Sequence, residues 1–249
     1  MDPVPQAAPS GLLFVRVLRF LPTFQAFSSS MRSDLPLDVA ILVTLPFQEN
    51  TLFVSLPRSK ECLVIDPGFG SPRIVEQLTT LQKTPVAILL THGHVDHIAG
   101  VSGLRQAWPE IPILIGVGDA SMLTDPQLNL SAPFGMPITS PPATQTLTHQ
   151  ERLVVAGIPL EVREIPGHSP GHVVFVHSTG NPPIVFGGDV LFQGSIGRTD
   201  FPGGDQQLLI DGIHRKLFDL PENTLVFPGH GPTTTIGQEK RDNPFCGLN

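Results

Sequence analysis

The segment THGHVDH, residues 91–97, places His92, His94, Asp96 and His97 within six positions. It follows an apolar run, VAILLT (86–91), of the buried-strand type. It precedes Ile98, Val101, Leu104 and Trp108, whose spacing predicts a helix. In an extended chain, side chains two apart point the same way. His92 and His94 can therefore converge on one metal ion from the strand end, while Asp96 and His97, at the turn into the helix, face a second. Gly93 keeps a side chain out of this crowded corner. A single histidine is more often a structural residue than a ligand, but three with an aspartate at a strand mouth point to metal chemistry. Further candidates sit at the ends of later predicted strands: His168 and His172 in PGHSPGH (166–172), Asp189 in FGGDVLF (186–192) and His230 in FPGHGP (227–232). Glycine or proline flanks each one and lets the backbone turn sharply. Imidazole and carboxylate without thiolate suit a catalytic zinc, iron or manganese site rather than a cysteine-rich structural zinc.

Such a site lowers the pKa of bound water to about 7 and makes hydroxide available at neutral pH. Attack on an acyl carbon, with one metal stabilising the developing oxyanion, would then need no nucleophilic side chain. Asp96 is placed to orient the water as well as to bind metal.

The pattern HxHxDH, followed at a distance by His, Asp and His, resembles the metallo-β-lactamase superfamily over most of the chain from about Asp38. GDVLFQGSIGRTDFPGGD (188–205) and PGHGPTTTIGQEKRDNPF (228–245) are similar to its small, bacterial-type glyoxalase II-like (hydroxyacylglutathione hydrolase-like) branch. The resemblance implies an α/β fold, an αββα sandwich with metals at one edge. It assigns His92, His94 and His168 to one ion and Asp96, His97 and His230 to the other, with Asp189 bridging. Two divalent cations are implied, zinc first, with iron or manganese as alternatives. His172 is then structural, and Asp66, in IDPG, either orients a ligand histidine or caps a turn.

The implied reaction is hydrolysis of an acyl-glutathione thioester such as S-lactoylglutathione. Arg198, Lys240 and Arg241 are the candidates to meet a substrate carboxylate. Against them, Arg198 stands beside Asp200, and Lys240 and Arg241 have the look of solvated charges. The chain departs from longer members of the branch, which carry a helical C-terminal extension with basic glutathione contacts. Nineteen residues follow His230, and there is no tyrosine.

Three rival readings stand beside the hydrolase. A persulfide dioxygenase with one iron would use His92, His168 and Asp189, and GRTDF (197–201) is compatible with it. A serine hydrolase is suggested formally by GHSPG (167–171), but the residue after the serine is Pro170, which has no N–H for an oxyanion hole. A non-catalytic metal-binding module is disfavoured by the complete set of seven candidate ligands.

The elements that must position these residues are legible as alternating runs. Strands are predicted at 38–46, 50–56, 61–67, 86–91, 112–116, 160–165, 172–178, 182–188 and 224–229, and helices at 72–82, from 98 to 108, and at 205–218. Residues 125–145, rich in Pro, Ser and Thr, read as a long surface loop of the kind that is often functional. Loose alternation of strand and helix favours a layered α/β domain.

The 249 residues are enough for one sizeable core, at 40% apolar and 15% charged. A net charge of −7 argues against a nucleic-acid partner. Cys62 and Cys246 lie far from the histidine clusters and from any CxxC pair, as expected of two reduced thiols in a cytoplasmic protein. GLLFVRVLRFLPTF (11–24) is too short and too interrupted by Arg16, Arg19 and Pro22 for a membrane span. Residues 1–35 are read as a disordered or extended leader, or Met31 as the natural start, with the hydrolase domain at 36–249. The expected partner is a small-molecule thioester; the oligomeric state is left open.

Overall fold

The computed structural model describes residues 18–19 and 35–248. Apart from Leu18–Arg19 and Leu35, the leader and the Met31 start lie outside the described residues. The first half builds a sheet whose strands lie side by side in chain order: β1 (Leu18–Arg19), β2 (Asp38–Thr44), β3 (Glu49–Ser55), β4 (Glu61–Ile65), β5 (Thr84–Leu90), β6 (Ile113–Gly116) and β7 (Gln145–Leu147). Helix α1 (Ser71–Thr80) joins β4 to β5. Helices α2 (Val95–Ile98) and α3 (Val101–Ala107) follow β5, and a 3₁₀ helix, Val117–Leu123, follows β6. The second half supplies β8 (Arg152–Val155), β9 (Ile158–Glu164), β10 (Val173–His177), β11 (Ile184–Gly188), a small ribbon of β12 (Leu191–Phe192) and β13 (Ser195–Ile196), α4 (Gln206–Lys216), β14 (Leu225–Pro228), β15 (Thr234–Thr235) and α5 (Ile236–Asp242). Its sheet runs in the order β15-β14-β11-β10-β9-β8.

Both sheets are apolar on two faces, and the period-two pattern sorts their side chains into layers. In β4 and β5, Leu63, Ile65, Ala87 and Leu89 point inward, where they meet Val162, Phe175, Phe186 and Phe227 of the second sheet. Their neighbours Val64, Ile88 and Leu90 point outward against Ile74 and Leu78 of α1 and Leu104 of α3. On the far side Val174, Val185 and Val226 pack under Leu209 and Ile213 of α4. The result is the expected αββα sandwich, with the double-sheet core at its centre.

The predicted strands and helices fall within a few residues of those observed, with one instructive exception. The single helix expected from 98 to 108 is two, broken at Ala99–Gly100. The Gly100 N–H turns to the carbonyl of Pro67 (2.8 Å), so the turn carrying Asp96 and His97 is set independently of α3. The strand expected at 61–67 stops at Ile65, because Asp66 takes a left-handed conformation (φ 48) and a proline follows. The 3₁₀ helix, β7, β8, the small ribbon, β15 and α5 had no counterpart in the sequence reading. Among the described residues no helix is long and apolar enough to cross a membrane.

Candidate metal centre

Four strands of the sandwich end at one edge, and each delivers candidate ligands there. His92 and His94 leave β5, and Asp96 and His97 follow on α2. His168 lies between β9 and β10, Asp189 directly after β11, and His230 two residues beyond β14. Backbone bonds close the edge: Val173 N–H donates to Thr91 (2.8 Å) and Gly229 N–H to Gly188 (2.8 Å).

The geometry brings all seven expected residues together. His168 Nε2 lies 2.9 Å from His94 Nδ1 and 3.2 Å from His92 Nε2. His230 Nε2 lies 3.3 Å from Asp96 Oδ2, and His97 Nε2 lies 3.8 Å from the same oxygen. Asp189 stands between the two groups. Its Oδ2 is 3.5 Å from both His168 Nε2 and His230 Nε2, and its Oδ1 is 3.5 Å from His97 Nε2. The potential donor atoms of His92, His94 and His168 all fall within 4.8 Å of one another, as do those of Asp96, His97 and His230.

The outer hydrogen bonds decide which ring nitrogens are free. His97 Nδ1 meets Asp66 Oδ2 at 3.0 Å, His168 Nδ1 meets the Arg198 carbonyl at 2.8 Å, and His92 Nδ1 meets Thr91 Oγ1 at 3.1 Å. Thr91 Oγ1 itself donates to Asp66 Oδ2 (2.6 Å), so it accepts from His92. Each ring thus spends its N–H outward and turns a lone pair inward. Two such lone pairs, on His92 and His168, face each other, and His97 Nε2 and Asp189 Oδ1 are buried without a hydrogen-bond partner. Facing lone pairs and orphaned acceptors in a closed site fit divalent cations between them.

The electrostatics agree. Burial, reinforced by the neighbouring imidazoles, holds His92 well below the ordinary histidine range, and burial takes His94 down to about 3, so both rings stay neutral. Burial would also lower His97, but Asp189 and Asp96 outweigh it and raise it well above that range. The two carboxylates thus favour positive charge at that spot, which a proton on Nε2 supplies without a metal and a divalent cation would supply in its place, leaving Nε2 its lone pair. Burial would raise Asp189, yet His97 and its neighbours overcome this and hold it far below the carboxylate range.

Asp66 takes the orienting place: its second oxygen accepts from the Thr91 N–H (2.7 Å) while the first holds His97. His172 stacks on His92 (centroids 4.7 Å apart, 19° between planes) and accepts the Asp189 N–H at Nε2 (3.1 Å), which turns it away from both ion positions. Arg198 lines the cavity over the site, but it forms two 2.7 Å bonds with Asp200 and lies 4.0 Å over the Phe201 ring. Lys240 and Arg241 do not line that cavity: Lys240 Nζ is 5.9 Å from the Phe218 ring, and Arg241 is 3.6 Å from Glu222.

Two glycines are dictated by close approach. A Cβ on Gly93 would strike Met122, and one on Gly229 would strike Asp189 Oδ1 and sit 2.6 Å from His97 Cε1.

Sequence reasoning missed three supporting residues. Asp119, fully buried on the 3₁₀ helix, accepts from Gly93 N–H (3.1 Å), Ser169 Oγ (2.6 Å) and Gly171 N–H (2.6 Å), and so ties the two histidine loops together. Asn50 reaches from β3 to the carbonyls of Pro228 (3.0 Å) and Gly231 (2.9 Å), on either side of His230. Glu49, also fully buried, receives hydroxyls from Thr44 and Thr51, both at 2.9 Å. Burial pushes its carboxyl well above the usual range. The one available signal was Asp119 in GVGD, a carboxylate closing a strand end. Ser169 is fully buried and committed to Asp119, which removes the structural basis for a serine nucleophile.

A fold of two packed sheets with a His/Asp cluster at one edge defines a class, and the chain belongs to it: residues 44–230 match the metallo-β-lactamase superfamily. Among curated relatives, it is 41% identical to a probable metallo-hydrolase of Bacillus subtilis, YqgX, over 80% of this chain and 93% of that one. It is 36% identical to the hydroxyacylglutathione hydrolase GloC of Haemophilus influenzae, over 84% and 98%. Of solved structures, the BLEG-1 B3 metallo-β-lactamase superposes with a TM-score of 0.80 at 42% identity, covering 84% of this chain and 99% of that one. TTHA1623 in a di-iron-bound form gives 0.73 at 36%, covering 82% and 98%. The chain is a metallo-hydrolase with a His/Asp metal site.

Proposed function

We propose that the protein hydrolyses thioesters at a two-metal site, with His92, His94 and His168 holding one divalent ion, Asp96, His97 and His230 the other, and Asp189 between them. The observation that carries this reading is the position of Asp189, whose carboxylate lies 3.5 Å from ligand nitrogens of both groups. Two ions there would supply Lewis acidity and a water acidified enough to be a nucleophile near neutral pH. Zinc is the first choice, and the di-iron form of a relative keeps iron open.

The chain's own part is positioning. Asp66, Thr91 and the Arg198 carbonyl lock three imidazoles in the tautomer that offers a lone pair. Asp96, which burial would raise but the charge of His97 and a hydrogen bond from His230 hold low, borders the cavity as a carboxylate. It is placed to take a proton from the attacking water. Water adds its oxygen to the acyl carbon, the C–S bond breaks, and the products are a carboxylate, a thiol and one released proton. Thiolate is a good leaving group, so no separate acid is needed.

Hydroxyacylglutathione, the substrate in the name of the relative GloC, is the thioester with which the assay begins. The two unpaired, buried cysteines suit a reducing, cytoplasmic compartment, and the acidic charge leaves nucleic acid outside the proposal. The test is elemental analysis with a thioester assay. Two divalent ions per chain are expected, and His94→Ala or Asp189→Ala should lose metal and at least a thousandfold in kcat/KM. A fully active His94→Ala variant would sink the proposal. One iron per chain with oxygen uptake on a persulfide would replace it by the dioxygenase reading.

A further inference from the structure

The cavity above the metal centre encloses about 350 Å³, within the small-molecule range of roughly 300–1,000 Å³. Its walls differ from what a glutathione conjugate requires. Among the described residues, and apart from the candidate ligands, only Ser195 and Arg198 are polar of the side chains that border it. Arg198 is held by Asp200 in a two-bond fork and covered on one face by Phe201. Among the described residues, no other lysine or arginine lines the cavity. Glutathione carries two carboxylates and an ammonium, and charged groups set against apolar walls lose hydration without repayment.

The apolar groups occupy both flanks of the site. On one side Phe201 meets the His94 ring edge-on, 5.6 Å between centroids. On the other, Phe192 meets His230 at 6.3 Å. Phe134, half exposed on the long loop, packs on Phe47 at 5.8 Å and, with Leu130, adds to the apolar lining. An acyl group placed at the cluster has hydrocarbon on either hand. Glutathione, with one net negative charge, would also approach a chain of net charge −7.

We infer that the substrate is an uncharged thioester with an aliphatic or aromatic acyl group, seated between Phe201 and Phe192 beneath Phe134, rather than a glutathione conjugate. This deepens the thioester reading and rests on it. The bond chemistry is unchanged: water in, C–S broken, carboxylate and thiol out.

The test uses the metal-loaded full chain with straight-chain acyl esters of N-acetylcysteamine, an uncharged thiol, from acetyl to octanoyl, beside the same acyl groups and lactate on glutathione. The expected result is a rise in kcat/KM of about fourfold per added methylene until the cavity is full, the equivalent of ~0.8 kcal/mol per buried CH₂. The uncharged carrier should beat glutathione for each acyl group. Phe134→Ala and Phe201→Ala should shrink the increment per methylene. Calorimetric titration with octanoate, the product, should show binding with a negative heat-capacity change that acetate lacks. A flat chain-length profile, or S-lactoylglutathione outrunning every uncharged thioester, overturns this inference and leaves the thioester proposal standing. If a two-metal preparation hydrolyses no thioester of either carrier, the proposed function itself falls. Octanoate binding then decides the apolar cavity separately, and its absence overturns that too.

Discussion

At the scale of single residues, the site depends on side chains that never touch substrate. Asp119 accepts three hydrogen bonds in a fully buried place, two from the backbone of the histidine loops. Cutting it back strands those donors in the interior, and each lost bond to a charged acceptor costs about 1.5–3 kcal/mol. Asp119→Ala should therefore lower unfolding free energy by about 3 kcal/mol or more in urea titration and reduce metal content. Ser169→Ala, which deletes only one donor to the same carboxylate, should keep kcat/KM within about threefold. Loss of activity in Ser169→Ala with metal still bound would reopen a serine mechanism. Asp66→Ala frees His97 to rotate, and partners of this kind typically contribute 10–100-fold in metal affinity. A competitive chelator titration reads that change directly.

The seven ligand candidates were legible because their chemistry is concentrated: three histidines and an aspartate in six positions, then isolated histidines and an aspartate beside glycines at strand ends. Asn50 and Glu49 were not, and Asp119 left only the faint signal of a carboxylate in GVGD, because a buried polar residue that acts on backbone two loops away leaves little local pattern. Arg198 shows the opposite limit. Its sequence context offered two partners, a substrate carboxylate or the neighbouring Asp200; the coordinates show the grip on Asp200 and add a seat on Phe201 that the sequence did not announce.

At the scale of elements, strand periodicity was the reliable signal. Inner and outer residues alternate through Cys62–Ile65 of β4 and Ala87–Leu90 of β5, so those faces could be read before any coordinates, while the register shift at Pro85–Ala87, which turns both Val86 and Ala87 to the inner core, could not. What periodicity cannot carry is the break at Gly100, which answers to the carbonyl of Pro67, or α5, too short for its amphipathic stripe to declare itself. Helix α5 is fixed instead by buried Glu239, which receives the Thr234 hydroxyl, the Gly194 N–H (2.8 Å) and Asn243 Nδ2 (2.9 Å). The long loop at 125–145 was recognised, yet its packing on the metal edge, through Val95 N–H to the Asn129 carbonyl (2.9 Å), was not.

Strand β3 has a role beyond the sheet, since Asn50 grips the turn around His230. Asn50→Ala should cost about 1–3 kcal/mol, two ordinary side-chain bonds at ~0.5–1.5 kcal/mol each. On the proposed assignment, which gives His230 to the Asp96–His97 group with Asp189 between the ions, metal stoichiometry should fall from two toward one per chain. A variant that kept both ions at wild-type affinity would show that β3 does not set that turn.

At the scale of the whole molecule, the inter-sheet core makes the two halves one cooperative unit. Phe186 is fully buried, with its ring 5.9 Å from Phe227. Phe186→Ala should destabilise by about 3–5 kcal/mol, a large share of the 5–15 kcal/mol typical of a domain. Fluorescence and circular dichroism should still report coincident transitions; separate transitions would mean that the sheets melt independently.

Four of the seven metal-facing side chains hang from the first sheet and three from the second. Any cation captured there is a clasp across the seam of the sandwich, and its grip disappears once the halves part. Melting temperature should consequently climb with free zinc, by the equivalent of about 2.7 kcal/mol at a hundredfold excess over the dissociation constant. With chelator present, amide exchange should quicken first at Gly93, Asp189 and Gly229, leaving the strand centres protected.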